Sequence, residues 1–60
     1  MIVISVKLTI KRSDDTVYWV EFFNSVAAQE RWLSEEMTRP YWDPTYTTEV
    51  EVTETEVVLP

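Results

Sequence analysis

Eleven carboxylates stand against five basic groups in this chain of 60 residues, which contains no histidine and no cysteine. The usual proton shuttle and the most reactive side-chain nucleophile are therefore missing. With no glycine either, a Gly-rich phosphate cradle is ruled out. Paired carboxylates can do acid–base work, and two adjacent pairs occur, Asp14-Asp15 and Glu35-Glu36. The first falls in a turn and the second on a helix surface, where solvated carboxylates are the simpler reading. No enzyme activity is expected. No acidic stretch has the ligand spacing of a calcium loop, so no metal and no other cofactor is expected.

Two groups of residues are suited to binding instead. Glu49, Glu51, Glu54 and Glu56 lie close together with no cation among them. On alternate positions of a strand such carboxylates repeat about every 6.5–7 Å. A row of this kind docks on a basic groove and steers association. Its plainer role is to keep an edge strand soluble and unpaired. The second group is Trp19, Tyr41 and Trp42, residue types enriched at binding hot spots. The plainer reading of Tyr41 and Trp42 is that they close one end of a helix–sheet sandwich. Arg39 suits the negative end of a helix.

The formal charge is −6 and is unevenly spread. Residues 1–30 sum to −1 and residues 31–60 to −5. Nucleic-acid binding needs clustered Lys and Arg to neutralise phosphates, and no such cluster exists. The apolar start, Met1 to Ile10, is interrupted by Ser5, Lys7 and Thr9. It is too short to span a bilayer and lacks a basic leader region. A cytoplasmic protein without direct nucleic-acid or membrane contact is expected.

The elements that must position these residues follow from periodicity. Ile2, Ile4, Val6, Leu8 and Ile10 alternate with Val3, Ser5, Lys7, Thr9 and Lys11, which predicts a strand over 2–12 with one buried face. Ser13-Asp14-Asp15-Thr16 reads as a hairpin turn, since Asp tolerates the left-handed region. A second strand, 17–23, would bury Tyr18, Val20 and Phe22 and turn Val17, Trp19, Glu21 and Phe23 outward. Asn24 or Ser25 caps a helix over 26–38, with Val26, Leu33 and Met37 on its apolar stripe, Gln29 at the edge and Trp32 on the flank. Pro40 ends it. The aromatic loop 40–46 leads to a last strand over 46–53. Beyond Thr53 the phase is lost, and Glu54 to Pro60 are expected to fray.

The result is one α+β domain over residues 1–60. Its order is β-β-α-β, with a three-stranded antiparallel sheet in strand order 2-1-3 and one helix on one face. Opposite charges across strands support that order, because Lys7 and Lys11 then face Glu21 on one side and Glu49 and Glu51 on the other. The expected core is Ile4, Val6, Leu8, Val20, Phe22, Leu33 and Val50. A domain this small buries only about 60% of its unfolded surface. An outward Trp19 beside Val17 and Phe23 therefore suggests a homodimer through the outer sheet face.

The stretch WLSEEMTRPYWD, Trp32 to Asp43, in a short, acidic, glycine-free chain, is similar to small bacteriophage accessory proteins. The order of elements resembles the host RNA polymerase inhibitors of T-odd phages. Those inhibitors use basic residues near the last strand, where this chain has four Glu, so no functional residue is carried over. The resemblance implies a small protein that binds and modulates a host protein. The expected function is thus a non-enzymatic module presenting carboxylates to a basic surface of another protein. The alternative is a self-assembling accessory subunit of a larger particle.

Overall fold

The computed structural model describes residues 1–58. Strands β1 (Ile2–Lys11) and β2 (Val17–Phe23) form a hairpin, helix α1 (Val26–Glu36) follows, and β3 (Thr47–Glu56) closes the chain. The sheet is antiparallel in the order β2-β1-β3, so the strand with the longest apolar alternation takes the centre. The α+β architecture read from the sequence is the one found.

The hairpin loop is built by two aspartates. Asp15 takes a positive φ of 73°, the conformation a glycine would ordinarily supply and one that Asp bears better than most residues. The Asp14 carboxylate accepts from the backbone N–H of Thr16 at 3.1 Å and from its hydroxyl at 2.6 Å. Ser25, in extended conformation, caps α1 by accepting from the Ala28 N–H at 3.1 Å. Met37 ends the helix one residue beyond Glu36, slightly earlier than expected.

One backbone irregularity changes the face assignments. Lys11 pairs with Val17, but Ile10 pairs with Trp19, so Tyr18 is an extra residue, a β-bulge. Regular pairing would have set Ile10 opposite Tyr18, Leu8 opposite Val20 and Val6 opposite Phe22, the phase expected from the sequence. The bulge moves every later residue of β2 by one position, and a shift of one exchanges the faces. Val6 therefore lies opposite Phe23 and Leu8 opposite Glu21. Trp19, Glu21 and Phe23 occupy the helix side, and Val20 and Phe22 the bare side, where Phe22 is 62% exposed. The expected burial of Val20 and Phe22 is overturned, and so is the outward Trp19–Val17–Phe23 patch.

Among the described residues the buried apolar ones are Val6, Leu8 and Ile10, all from the middle and end of β1. Helix α1 lies over β1 and β2 and leaves β3 uncovered. Its inward stripe is Ala28, Gln29, Trp32, Leu33 and Glu36, with Gln29 buried. Val26 and Met37, expected on that stripe, are exposed. Leu33 is half-buried. Val50 has the expected helix-side phase, opposite Leu8, yet stays half exposed because no helix reaches it.

β1 and β3 continue past the end of β2 as a two-stranded ribbon. Residues Ile2 to Ser5 pair only with β3, from Glu56 to Thr53. The backbones of Met1 and Val57 close it with bonds of 2.7 and 3.2 Å. Ile4, expected in the core, lies on this ribbon and is 40% exposed. The molecule is accordingly long and flat, 47 × 22 × 12 Å. Its radius of gyration of 13.9 Å exceeds the roughly 10 Å of a compact chain of this length. β3 keeps its register to Glu56, where fraying was expected. The last part of the predicted tail, 59–60, lies outside the described residues.

Candidate functional site

At the opposite end from the ribbon, the bulge, the helix C-terminus and the loop 37–46 meet. A bulge projects neighbouring side chains toward the same side, and here both Tyr18 and Trp19 border one cavity of about 320 Å³. Trp32 and Glu36 of α1, Tyr41 and Trp42 of the loop, and the buried Ile10 complete its wall. The loop is held by successive turns. The Arg39 N–H donates to the Glu36 carbonyl at 3.0 Å, Trp42 to Arg39 at 3.1 Å and Tyr46 to Asp43 at 3.0 Å. The Asp43 carboxylate accepts from Thr45 N–H at 2.9 Å and from its hydroxyl at 2.8 Å. These bonds hold its carboxyl below the ordinary range.

The rings brace one another. Tyr18 stacks on Tyr46 at 4.8 Å between centroids and Trp42 meets Tyr46 edge-on at 5.2 Å. Phe23 packs against Trp32 at 5.7 Å. The Arg12 guanidinium sits over the Tyr18 ring, 5.4 Å from its centroid, a distance at which cation and ring attract. The Tyr41 hydroxyl donates to Glu36 Oε2. That bond, with lesser contributions from burial and the carboxylate's charge, raises the Tyr41 pKa. Burial, then the neighbouring Tyr18, raises that of Tyr46. The Trp19 indole N–H donates to Glu21 Oε2 at 3.1 Å. Trp19 and Tyr41 are 51% and 57% exposed, so the cavity opens to solvent between them.

The acidic residues of β3 are arranged differently from a single row. All ten residues of the strand are exposed. Glu49 and Glu51 lie opposite Thr9 and Lys7 on the bare face, whereas Glu54 and Glu56 lie opposite Ile4 and Ile2 on the helix-side face. The strip is therefore split across the two faces of an edge strand. Lys11 Nζ bonds Glu49 Oε1 at 3.1 Å, and that bond, followed by the charges of Glu49 and Asp15, raises its pKa. Among the described residues, Glu51, Glu54 and Glu56 form no ion pair.

Of the residues singled out from sequence, the fold unites Trp19, Tyr41 and Trp42 in one cavity and leaves the four Glu away from it. Sequence reasoning missed Tyr18, Trp32 and Glu36. Strict alternation assigned Tyr18 and Trp19 to opposite faces, and only the bulge reverses that. Glu36 carried a usable signal, since it lies four residues after Trp32 and so shares its helix face.

Among the described residues no group of three or more acidic side chains is arranged to hold a metal ion, and no helix is long and apolar enough to cross a membrane. Comparison with known protein families, with curated proteins and with solved structures finds no match.

Proposed function

We propose that this chain is a non-enzymatic protein-binding module of the host-modulator type, acting in the host cytoplasm, that engages a basic surface of another protein. The carrying observation is the open β3 edge, where Glu51, Glu54 and Glu56 are exposed and have no ion-pair partner among the described residues. A field of this sign accelerates encounter with Lys- and Arg-rich surfaces. The aromatic cavity supplies a second contact, built from residue types enriched at binding hot spots.

The test begins with capture of a partner from bacterial lysate at low and moderate salt. The association rate of that partner is then measured with the parent and with the Glu51→Gln, Glu54→Gln, Glu56→Gln triple variant. The Debye length shrinks from about 10 Å at 0.1 M salt to about 3 Å at 1 M. The parent rate should fall steeply over that range, and the triple variant should be slow throughout. Equal rates for the two proteins at low salt overturn the reading.

Self-assembly is the second reading, and the β3 edge favours it over the outer face expected from sequence. Antiparallel pairing of two β3 strands centred on Val52 would set Val50 opposite Glu54, Glu51 opposite Thr53 and Glu49 opposite Thr55. No carboxylate then faces another directly. Val50 and Val52, each 49% exposed, would come together on one side of a continuous six-stranded sheet. Light scattering that finds a monomer at high micromolar concentration removes this alternative.

A further inference from the structure

We infer that the aromatic cavity is a cage for an organic ammonium group, the head of a lysine-type side chain on the partner. This rests on the protein-binding reading above and names the contact made at the cavity.

Three observations converge on an ammonium. The first is the wall. Trp19, Trp32, Tyr41 and Trp42 border one opening together with Tyr18, whose own ring is already engaged by Tyr46 and Arg12, and cations are attracted to the faces of such rings, most strongly to Trp. The chain already shows this affinity, since Arg12 lies over the Tyr18 ring without being part of the cavity lining. At about 320 Å³ the cavity is at the lower end of the ligand-pocket range of about 300–1,000 Å³. It suits one side-chain head better than an extended ligand.

The second observation is the field. Glu36 is the cavity's one carboxylate. It sits in the last turn of α1, which holds no basic residue. The negative end of the helix dipole therefore adds to its charge instead of opposing it. Around the aromatic wall stand Glu21, Glu36 and Asp43 against Arg12 and Arg39, so carboxylates outnumber guanidiniums.

The third observation selects among cations. One oxygen of Glu36 already accepts the Tyr41 hydroxyl. With that oxygen engaged, the carboxylate cannot take both N–H groups of a guanidinium fork, whereas its charge attracts a compact ammonium through space whether or not the ammonium carries N–H donors. Alkylation of the ammonium weakens its hydration while keeping its charge, so a methylated head should enter with the smaller desolvation cost.

The experiment titrates the intact chain with four probes: Nα-acetyl-lysine methylamide, its Nε-trimethyl derivative, tetramethylammonium, and the neutral isostere neopentyl alcohol. The readouts are tryptophan fluorescence and the NMR signals of the three indole N–H groups. The trimethyl derivative should saturate and move the Trp32 and Trp42 indoles. Tetramethylammonium should bind about tenfold more tightly than neopentyl alcohol, its neutral counterpart in size, in line with a desolvated cation–ring contact. Glu36→Gln should weaken ammonium binding several-fold. Tyr41→Phe keeps the ring and releases the second carboxylate oxygen, so it should bind at least as well as the parent, and it remains informative if the Gln variant unfolds. Equal binding of the neutral isostere, no saturation by any ammonium, or an unchanged affinity in folded Glu36→Gln each overturns the cage. The triple β3 variant should bind the probes like the parent. A failed cage with a slowed triple variant leaves the binding module standing, and an intact cage with an unslowed one does the reverse.

Discussion

The two ends of this molecule share a strand and differ in almost everything else. At one end, Leu8 and Ile10 of β1 are sealed beneath α1, and the bulge and loop 37–46 gather rings around them. At the other, Ile2 and Ile4 of the same strand lie on a ribbon of two strands with 63% and 40% exposure. The side chains are of one kind, so their energetics are decided by what lies above them. Two strands alone are marginal in water, and the ribbon persists as a continuation of the packed end. The difference teaches that period-two alternation marks a face without marking a core.

The largest test of that contrast compares Leu8→Ala with Val50→Ala, cross-strand neighbours on the same sheet face. Leu8→Ala should cost about 2–5 kcal/mol, comparable to the whole net stability of roughly 3–5 kcal/mol that so small a core supplies. Val50→Ala should cost about 1 kcal/mol or less, since half of the side chain is already in water. Urea denaturation reads both, and equal losses would mean that β3 is covered as well as β1.

A second pair sharpens the phase set by the bulge. Phe23 packs against Trp32 with the rings tilted, whereas its neighbour Phe22 faces solvent. Phe23→Ala should lose about 2–3 kcal/mol, below the full range for a buried aromatic because the site is half-buried, and Phe22→Ala about 1 kcal/mol or less. The reverse order in the same denaturation assay would restore regular pairing of Tyr18 with Ile10.

The smallest effect concerns pH. Asp14 and Asp43 tie the two turns of the packed end, and the bonds to Thr16 and Thr45 hold both carboxyls below their ordinary range. A lowered folded pKa gives stability that is full above the unfolded value and is lost as pH falls below about 4. The raised Lys11 acts with the opposite sign, its contribution being full below about pH 10 and lost above. In an Asp14→Asn, Asp43→Asn variant the fall in melting temperature between about pH 7 and about pH 3 should shrink. An undiminished fall would assign acid sensitivity elsewhere.

Much of the fold was legible because local chemistry and periodicity agree. The clean alternation of β1, the Ser25 cap, the breaker at Pro40 and the aspartate turn needed no tertiary information. They were enough for the strand order and the antiparallel sheet. Composition marked the chain as acidic, and residue type with position along the chain singled out Trp19, Tyr41, Trp42 and four glutamates as candidate contacts.

Tertiary structure decided what a one-dimensional pattern cannot carry. One extra residue at Tyr18 exchanged the faces of β2, moved Trp19 to the helix side and Phe22 to the bare side, because face assignment depends on pairing partners and not on the strand's own sequence. The continued register of β3 divided Glu49 and Glu51 from Glu54 and Glu56. A single helix of eleven residues spans about 16 Å at 1.5 Å per residue, too short and too narrow to roof three strands. That geometry is why Val50 and Ile4, apolar and correctly phased, stay in water while three residues of β1 form the buried core.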